Sequence, residues 1–141
     1  MILSLIKFGI LLALLIYASI KDIKSREVPD SVSGMMLILS LVGITAGDLP
    51  SMLLGMTLVF LPQYLAAVIN PAKALGGADI KLSSAAAFLL GAPRGLFALI
   101  VGLTLSVVTI PIVRAIKKLS KNQPFPLVPF LAVGIIAAYL I

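Results

Sequence analysis

Apolar residues fall into six runs along the chain, separated by short polar or glycine- and proline-containing stretches. The runs cover residues 3–20, 31–47, 51–69, 79–92, 94–116 and 125–141. A helix needs about 20 residues to cross the hydrocarbon core of a bilayer, within a range of about 17–25. Four runs fit this range, the sixth is just long enough, and the fourth is short. The pattern predicts an all-α, polytopic membrane protein with six transmembrane helices.

The fourth run is bounded by Gly76-Gly77 on one side and by Gly91-Ala92-Pro93 on the other. At 1.5 Å per residue, its roughly 14 residues reach only about 21 Å. One end of this helix is therefore expected inside the membrane slab, in a recess that is lined by protein or filled with water.

The composition excludes a soluble globular domain and a disordered chain. Of the 141 residues, 61% are hydrophobic and 11% are charged, whereas about 25% are charged in an ordinary soluble domain. The mean hydropathy is +1.22. So much apolar surface cannot be hidden in one core surrounded by water. We expect a single integral membrane domain over residues 1–141.

The first apolar run has its positive charge on the wrong side for a cleavable signal peptide. Lys7 alone precedes the main part of the run, whereas Lys21, Lys24 and Arg26 follow it directly. A signal peptide carries its positive charge in front of the apolar stretch. The run is therefore predicted to be a retained helix whose N-terminus lies outside.

The basic residues alternate between the loops. The loops after the first, third and fifth runs hold nine of the eleven basic residues. An excess of Lys and Arg marks cytoplasmic loops. We expect a multi-pass protein of the plasma (inner) membrane with both termini outside. This topology accounts for the net charge of +6 without a nucleic-acid partner. The nine residues are Lys21, Lys24, Arg26, Lys73, Lys81, Arg114, Lys117, Lys118 and Lys121.

The chain has no cysteine and no histidine, which excludes several kinds of site. There is no disulfide framework, thiolate zinc site, cysteine nucleophile, Ser-His triad or HExxH zinc site. A hydrolase of this composition has to use carboxylates or a Ser-Lys pair. Lys81 with Ser83 or Ser84 is such a pair by sequence, but the spacing favours ordinary packing.

Of the five acidic residues, three have ordinary structural interpretations. Asp48 lies beside Pro50 in an outer turn and is typical of turn chemistry. Asp30 precedes the second apolar run and is predicted to be its N-cap. Glu27 is expected to be a solvated loop charge.

Asp22 and Asp79 are the candidates for chemistry. Asp22 closes the first run, where the structural alternative is an i,i+4 ion pair with Arg26. Asp79 follows Gly76-Gly77-Ala78 at the start of the short fourth run, where the structural alternative is a helix N-cap. An ionisable group at membrane depth is costly, which favours a functional role.

Both aspartates are predicted on the cytoplasmic side, at the ends of different helices. Two carboxyl groups brought close together cannot both ionise, so one keeps its proton while the other acts as a base. Such a pair can deprotonate a water, direct it at a peptide carbonyl and protonate the leaving amine. A transition-metal site is disfavoured because no histidine is available, although Mg²⁺ is able to bind loosely to carboxylates. We expect neither a metal nor a cofactor.

The residues around these two aspartates resemble a known family. Segment 22–30 (DIKSREVPD) resembles the first-aspartate motif of the type IV prepilin peptidases, and segment 76–82 (GGADIKL) resembles their GxGD motif followed by x-K-L. Segment 126–131 (PLVPFL) is similar to the proline-rich start of their last helix. The spacing and order of the motifs match over nearly the whole chain, and the second motif is the most specific.

The resemblance implies a GxGD-type aspartic endopeptidase with Asp22 and Asp79 as the catalytic pair and Gly76, Gly77, Ala78 and Lys81 as supporting residues. Enzymes of this family cut the short basic leader from prepilins and pseudopilins at the cytoplasmic face, in type IV pilus assembly and secretion. The expected partners are therefore prepilin-like substrates and the lipid bilayer.

The chain departs from the family pattern in two places. Ala78 replaces the glycine before the second aspartate, which would strain the loop by about 1 kcal/mol if that residue had a positive φ. The larger family members also carry a cysteine-containing domain that methylates the new N-terminus. This chain has no cysteine, so it resembles the compact, single-domain branch, and we expect peptidase activity alone.

Three alternatives remain open at this point. Lys81 is either a snorkelling lysine at the interface or a partner that stabilises an ionised Asp79. The chain as a whole is alternatively a small transporter or channel in which Asp79 binds a cation or relays protons. A membrane scaffold without catalytic activity is the third, and it predicts that Asp79→Asn is silent.

Overall fold

A computed structural model describes residues 1–72, 76–118 and 125–141, and these residues form α-helices without any strand. The prediction of an all-α protein is confirmed. The six helices are α1 (Ile2–Ser25), α2 (Asp30–Leu41), α3 (Leu49–Ile69), α4 (Gly77–Leu90), α5 (Ala92–Lys117) and α6 (Val128–Leu140).

Long and short helices alternate along the chain. Helices α1, α3 and α5 have 24, 21 and 26 residues and are long and apolar enough to cross a membrane. Helices α2, α4 and α6 have 12, 14 and 13 residues, which corresponds to about 18–21 Å each. Six membrane crossings and outside termini stay predictions. Two of the nine basic residues that support them, Lys73 and Lys121, lie outside the described residues.

Helix α2 ends earlier than its apolar run. The run was predicted to continue to residue 47, but the helix stops at Leu41 and Gly43 adopts a left-handed conformation with φ of 72°. Asp48 holds the following turn, since its Oδ2 accepts hydrogen bonds from Thr45 N–H at 2.9 Å and from Thr45 Oγ1–H at 2.8 Å. The predicted turn role of Asp48 is confirmed. These hydrogen bonds also lower the pKa of Asp48.

Helix α4 lies at the centre of the bundle, between α2, α3, α5 and α6. Every residue from Leu82 to Phe88 is buried. A short helix that is rich in Ser and Ala is not usually expected at the centre of a bundle. Small side chains let the neighbouring helices approach closely. Gln63 of α3 is buried and its Nε2 donates to Ser83 Oγ at 3.1 Å, which joins α3 to α4.

Helices α5 and α6 touch through glycine. A Cβ atom on Gly134 of α6 would collide with the Ala98 carbonyl oxygen and would lie 2.9 Å from the Gly102 nitrogen, both on the backbone of α5. A backbone neighbour cannot move aside as the end of a flexible side chain can. Gly134 therefore sets the distance between the two helices.

Replacing Gly134 by alanine is expected to destabilise the protein by about 1–3 kcal/mol, because overpacking forces the backbones apart. Gly9→Ala is the matched control, since a Cβ at this helical position meets nothing within 4 Å. Thermal unfolding in detergent should show a clearly lower midpoint for Gly134→Ala and an unchanged or higher one for Gly9→Ala. Equal midpoints for the two variants would contradict the close contact.

Candidate active site

Asp22 lies in the last turn of α1 and is buried, with 7% of its surface exposed. Its Oδ2 accepts a hydrogen bond from the backbone N–H of Val128, the first residue of α6, at 2.9 Å. The alternative ion pair with Arg26 is not formed within the described part of the chain. Arg26 instead ends α1 in a left-handed conformation, with φ of 56°, and its N–H bonds the Asp22 carbonyl.

Asp79 lies in the first turn of α4, three residues after the N-cap Gly76. The Gly76 backbone N–H donates to its carboxylate, as an acidic side chain at this position does in a capping box. The sequence-based alternative, in which Asp79 is itself the N-cap, is wrong. Its carboxylate nevertheless satisfies one of the N–H groups that are left without a partner at a helix start.

The two carboxyl groups interact electrostatically, since the charge of Asp22 acts on Asp79. Asp79 lies outside the three helices that are long enough to span a membrane. Burial raises the pKa of the Asp79 carboxyl above its ordinary value, and the negative charge of Asp22 raises it further, whereas the Gly76 hydrogen bond acts in the opposite direction. Two interacting carboxyl groups favour the state in which they share one proton.

Both carboxylates also meet the start of a helix. Asp79 lies at the N-terminus of α4, and Asp22 faces the N-terminus of α6. A helix N-terminus carries a partial positive charge and stabilises a nearby anion. The site therefore favours one negative charge without a cationic side chain.

The motif residues before Asp79 adopt ordinary backbone conformations. Gly76 has φ of −62°, and Gly77 and Ala78 belong to the first turn of α4. None of the three has a positive φ, so the strain considered for Ala78 does not arise. A Cβ on Gly76 would lie 3.3 Å from Asp79 Oδ2, whereas a Cβ on Gly77 would meet nothing within 4 Å. A side chain at position 76 would therefore crowd the Asp79 carboxylate, whereas one at position 77 would not.

Lys81 contacts a different acid from the one considered in the sequence. Its Nζ lies 3.0 Å from Asp30 Oδ1, and both side chains are more than half exposed. The predicted N-cap role of Asp30 is wrong, because α2 begins at Asp30 itself, after the N-cap Pro29, and no side chain caps it. Asp30 joins the starts of α2 and α4 instead.

A Ser-Lys pair does not form in this region. The hydroxyls of Ser83 and Ser84 donate to the Ile80 carbonyl at 3.1 and 2.6 Å, while Lys81 pairs with Asp30. No group of three or more metal-ligating side chains occurs within residues 1–72, 76–118 and 125–141. Among the described residues at this end of the bundle, Asp22 and Asp79 are the candidates for catalysis.

The sequence model of the type IV leader peptidase family matches residues 9–141. The chain belongs to this family. The matched region includes both aspartates and all of α6. Searches of curated proteins and of solved structures gave no significant match. Membership of the leader peptidase family confirms the resemblance found in the sequence and supports a protease of the membrane.

Sequence reasoning on this leader peptidase missed the partners of the acids. The Val128 N–H is a backbone group, and nothing in the side-chain pattern identifies it, although segment 126–131 was singled out as the start of the last helix. The partner of Asp30 was missed because a residue before an apolar run is usually a cap.

Replacing Gly76 by alanine should lower the rate of leader removal roughly threefold to tenfold, since small displacements of a catalytic group are costly. The new Cβ crowds the Asp79 carboxylate. Gly77→Ala is the control, with a rate within about twofold of the natural chain. Rates are compared on a prepilin-type substrate at equal enzyme levels. A larger loss for Gly77→Ala than for Gly76→Ala would exclude this account.

Removing the Lys81–Asp30 ion pair should have a small effect, because an exposed pair contributes less than about 1 kcal/mol. We expect Lys81→Gln and Asp30→Asn each to lower the cleavage rate by no more than about threefold. The double variant should be no worse than either single one. Abolition of cleavage by Lys81→Gln alone would show instead that Lys81 acts on the aspartate pair.

Proposed function

We propose that the chain is an aspartic endopeptidase that removes the short basic leader from type IV prepilin-like precursors. The observation that supports this proposal is the electrostatic interaction between Asp22 and Asp79. The two acids come from different helices, and neither pairs with a cationic side chain in the described contacts. Membership of the type IV leader peptidase family gives the substrate class.

The aspartate pair contains the groups that peptide hydrolysis needs. The ionised carboxylate takes a proton from water, and the water oxygen attacks the carbonyl carbon of the scissile peptide. The protonated carboxyl group donates to the carbonyl oxygen as the tetrahedral intermediate forms. When the C–N bond breaks, a proton returns to the amine, and the products are a new carboxylate and a new N-terminus. The protons balance within the pair and the water.

The surroundings of the pair suit a basic leader attached to an apolar helix. Glu27 is exposed near the end of α1 that carries Asp22, and such an acid attracts a positively charged peptide. The basic residues Lys24 and Arg26 oppose this attraction, so the leader is expected to approach from the acidic side. The outward faces of the long helices are apolar and border the lipid in which an apolar substrate segment would lie.

The orientation follows from the basic loops. With α1 starting outside, the end of the bundle that holds Asp22 and Asp79 faces the cytoplasm, as the excess of Lys and Arg in the connections predicts. Peptide cleavage is the activity proposed for this chain.

Changing either aspartate to asparagine should abolish leader removal, with a loss of at least about 100-fold, because asparagine neither accepts the proton of water nor donates one. The test is co-expression with a prepilin-like substrate, with loss of the leader scored as a gel shift. Asp48→Asn is the matched control, since Asp48 holds a turn at the opposite end of α2. It should process the leader normally.

Near-normal processing by either Asp22→Asn or Asp79→Asn would overturn the proposed pair. If the chain is a transporter, neither variant changes leader removal by a family peptidase that is added to the cells. Asp79→Asn alone then changes the flux of ions or protons across the membrane. A scaffold predicts that Asp79→Asn has no effect in either assay. The three hypotheses are therefore separated by the same two variants.

A further inference from the structure

The start of α6 presents a single backbone donor to the site. Phe130 N–H and Leu131 N–H both bond to the Leu127 carbonyl, at 3.1 and 3.2 Å, and Pro129 has no N–H. Of the first four residues of α6, Val128 alone has an N–H that points away from its own helix, and that N–H meets Asp22 Oδ2 at 2.9 Å. The unpaired donor of this helix end is thus satisfied by a candidate catalytic acid.

Helix α6 holds this donor rigidly. Val128 is fully buried, and Gly134 and Gly102 bring α6 into backbone contact with α5. At its other end, α6 is tied to α1, because the Tyr139 hydroxyl donates to the Ser4 carbonyl at 3.0 Å. Helices α1 and α6 are therefore joined at both ends, and one of the two joints is the Asp22 carboxylate.

We propose that the N-terminus of α6 is a positioning element, in which the Val128 N–H fixes the Asp22 carboxylate and stabilises the single negative charge of the aspartate pair. The proposal rests on the proposed function and adds a role for a residue that does not touch the substrate. A backbone N–H aimed at a carboxylate stabilises the ionised state, and the helix N-terminus adds a partial positive charge in the same place. The aspartate pair thereby keeps a positioned acceptor for the proton of water.

The charged groups around Asp22 are accounted for on the elements packed against α1. Helix α6 carries no ionisable side chain except Tyr139 at its far end, and the acid of α2, Asp30, is engaged by Lys81. Helix α4 contributes Asp79, whose pKa is raised by burial and then by the charge of Asp22. On α1 itself, Lys21 and Lys24 are exposed. The Val128 N–H is the neutral donor that contacts the Asp22 carboxylate directly.

The test is an amide-to-ester replacement at position 128, made by incorporating the α-hydroxy analogue of valine into the full chain. This change removes the N–H and keeps the side chain. We expect kcat to fall roughly tenfold, as for loss of a hydrogen bond to a charged group, with an unchanged KM. The acid limb of the pH profile of kcat/KM should move to higher pH, because the aspartate pair, which titrates as a unit, has lost a donor to its single negative charge.

The matched control is the same replacement at Leu131, which removes a donor to the Leu127 carbonyl and loosens the same helical turn. It should keep kcat within about twofold and leave the pH profile in place. An unchanged pH profile for the 128 ester, or equal effects of the two esters, would overturn the positioning role.

A measurement without catalysis separates this inference from the proposed function. The 128 ester should lower the thermal midpoint of the natural chain more than that of Asp22→Ala, since the contact exists only when the carboxylate is present. Equal shifts in the two backgrounds would show that the N–H and Asp22 are not coupled, even if Asp22→Asn and Asp79→Asn abolish cleavage. Coupled shifts together with active Asn variants would show the reverse, a real contact in a protein that is not an aspartic peptidase.

Discussion

The structure depends on the electrostatic cost of two carboxyl groups that influence each other. Asp22 acts on Asp79 in a chain that has no histidine, and Lys81, two residues after Asp79, pairs with Asp30. A buried charge without a partner costs several kcal/mol. Sharing one proton reduces the pair to one charge, and the backbone stabilises that charge through the Val128 and Gly76 N–H groups. The fold therefore has to bring helix starts, rather than basic side chains, to this place.

The alternation of long and short helices supplies those helix starts. Asp22 lies in the last turn of α1, and Asp30, Asp79 and Val128 lie in the first turns of α2, α4 and α6. The ion pair between Asp30 and Lys81 joins the starts of α2 and α4, and the Asp22 hydrogen bond joins α1 to the start of α6. Each helix start contributes a partial positive charge of roughly half a unit, which favours an anionic site at this end of the bundle.

The sequence predicted this arrangement as far as side-chain patterns reach. The apolar runs predicted six helices. The energetic cost of an ionisable group at membrane depth identified Asp79 as a functional candidate. The early end of α2 was missed because Val42 and Ile44 are apolar, and the left-handed Gly43 shows itself only in the backbone. The partner of Asp22 was missed for a related reason, since a backbone N–H is present at nearly every position. The Lys81–Asp30 pair joins residues far apart in sequence, which no local pattern predicts.

The position of Asp79 is set by packing and not by an unusual loop conformation. Ala78 occupies the place of a motif glycine without strain, because α4 begins one residue earlier and its backbone is helical there. What holds the carboxylate is the burial of α4 on several sides through its Ser and Ala residues, while Asp22 is held by α6, which glycine contacts fix against α5. Both acids thus belong to packed helices and interact electrostatically. Under the proposed function, acids that packing positions in advance do not have to be ordered during the reaction, and this saving contributes to rate enhancement.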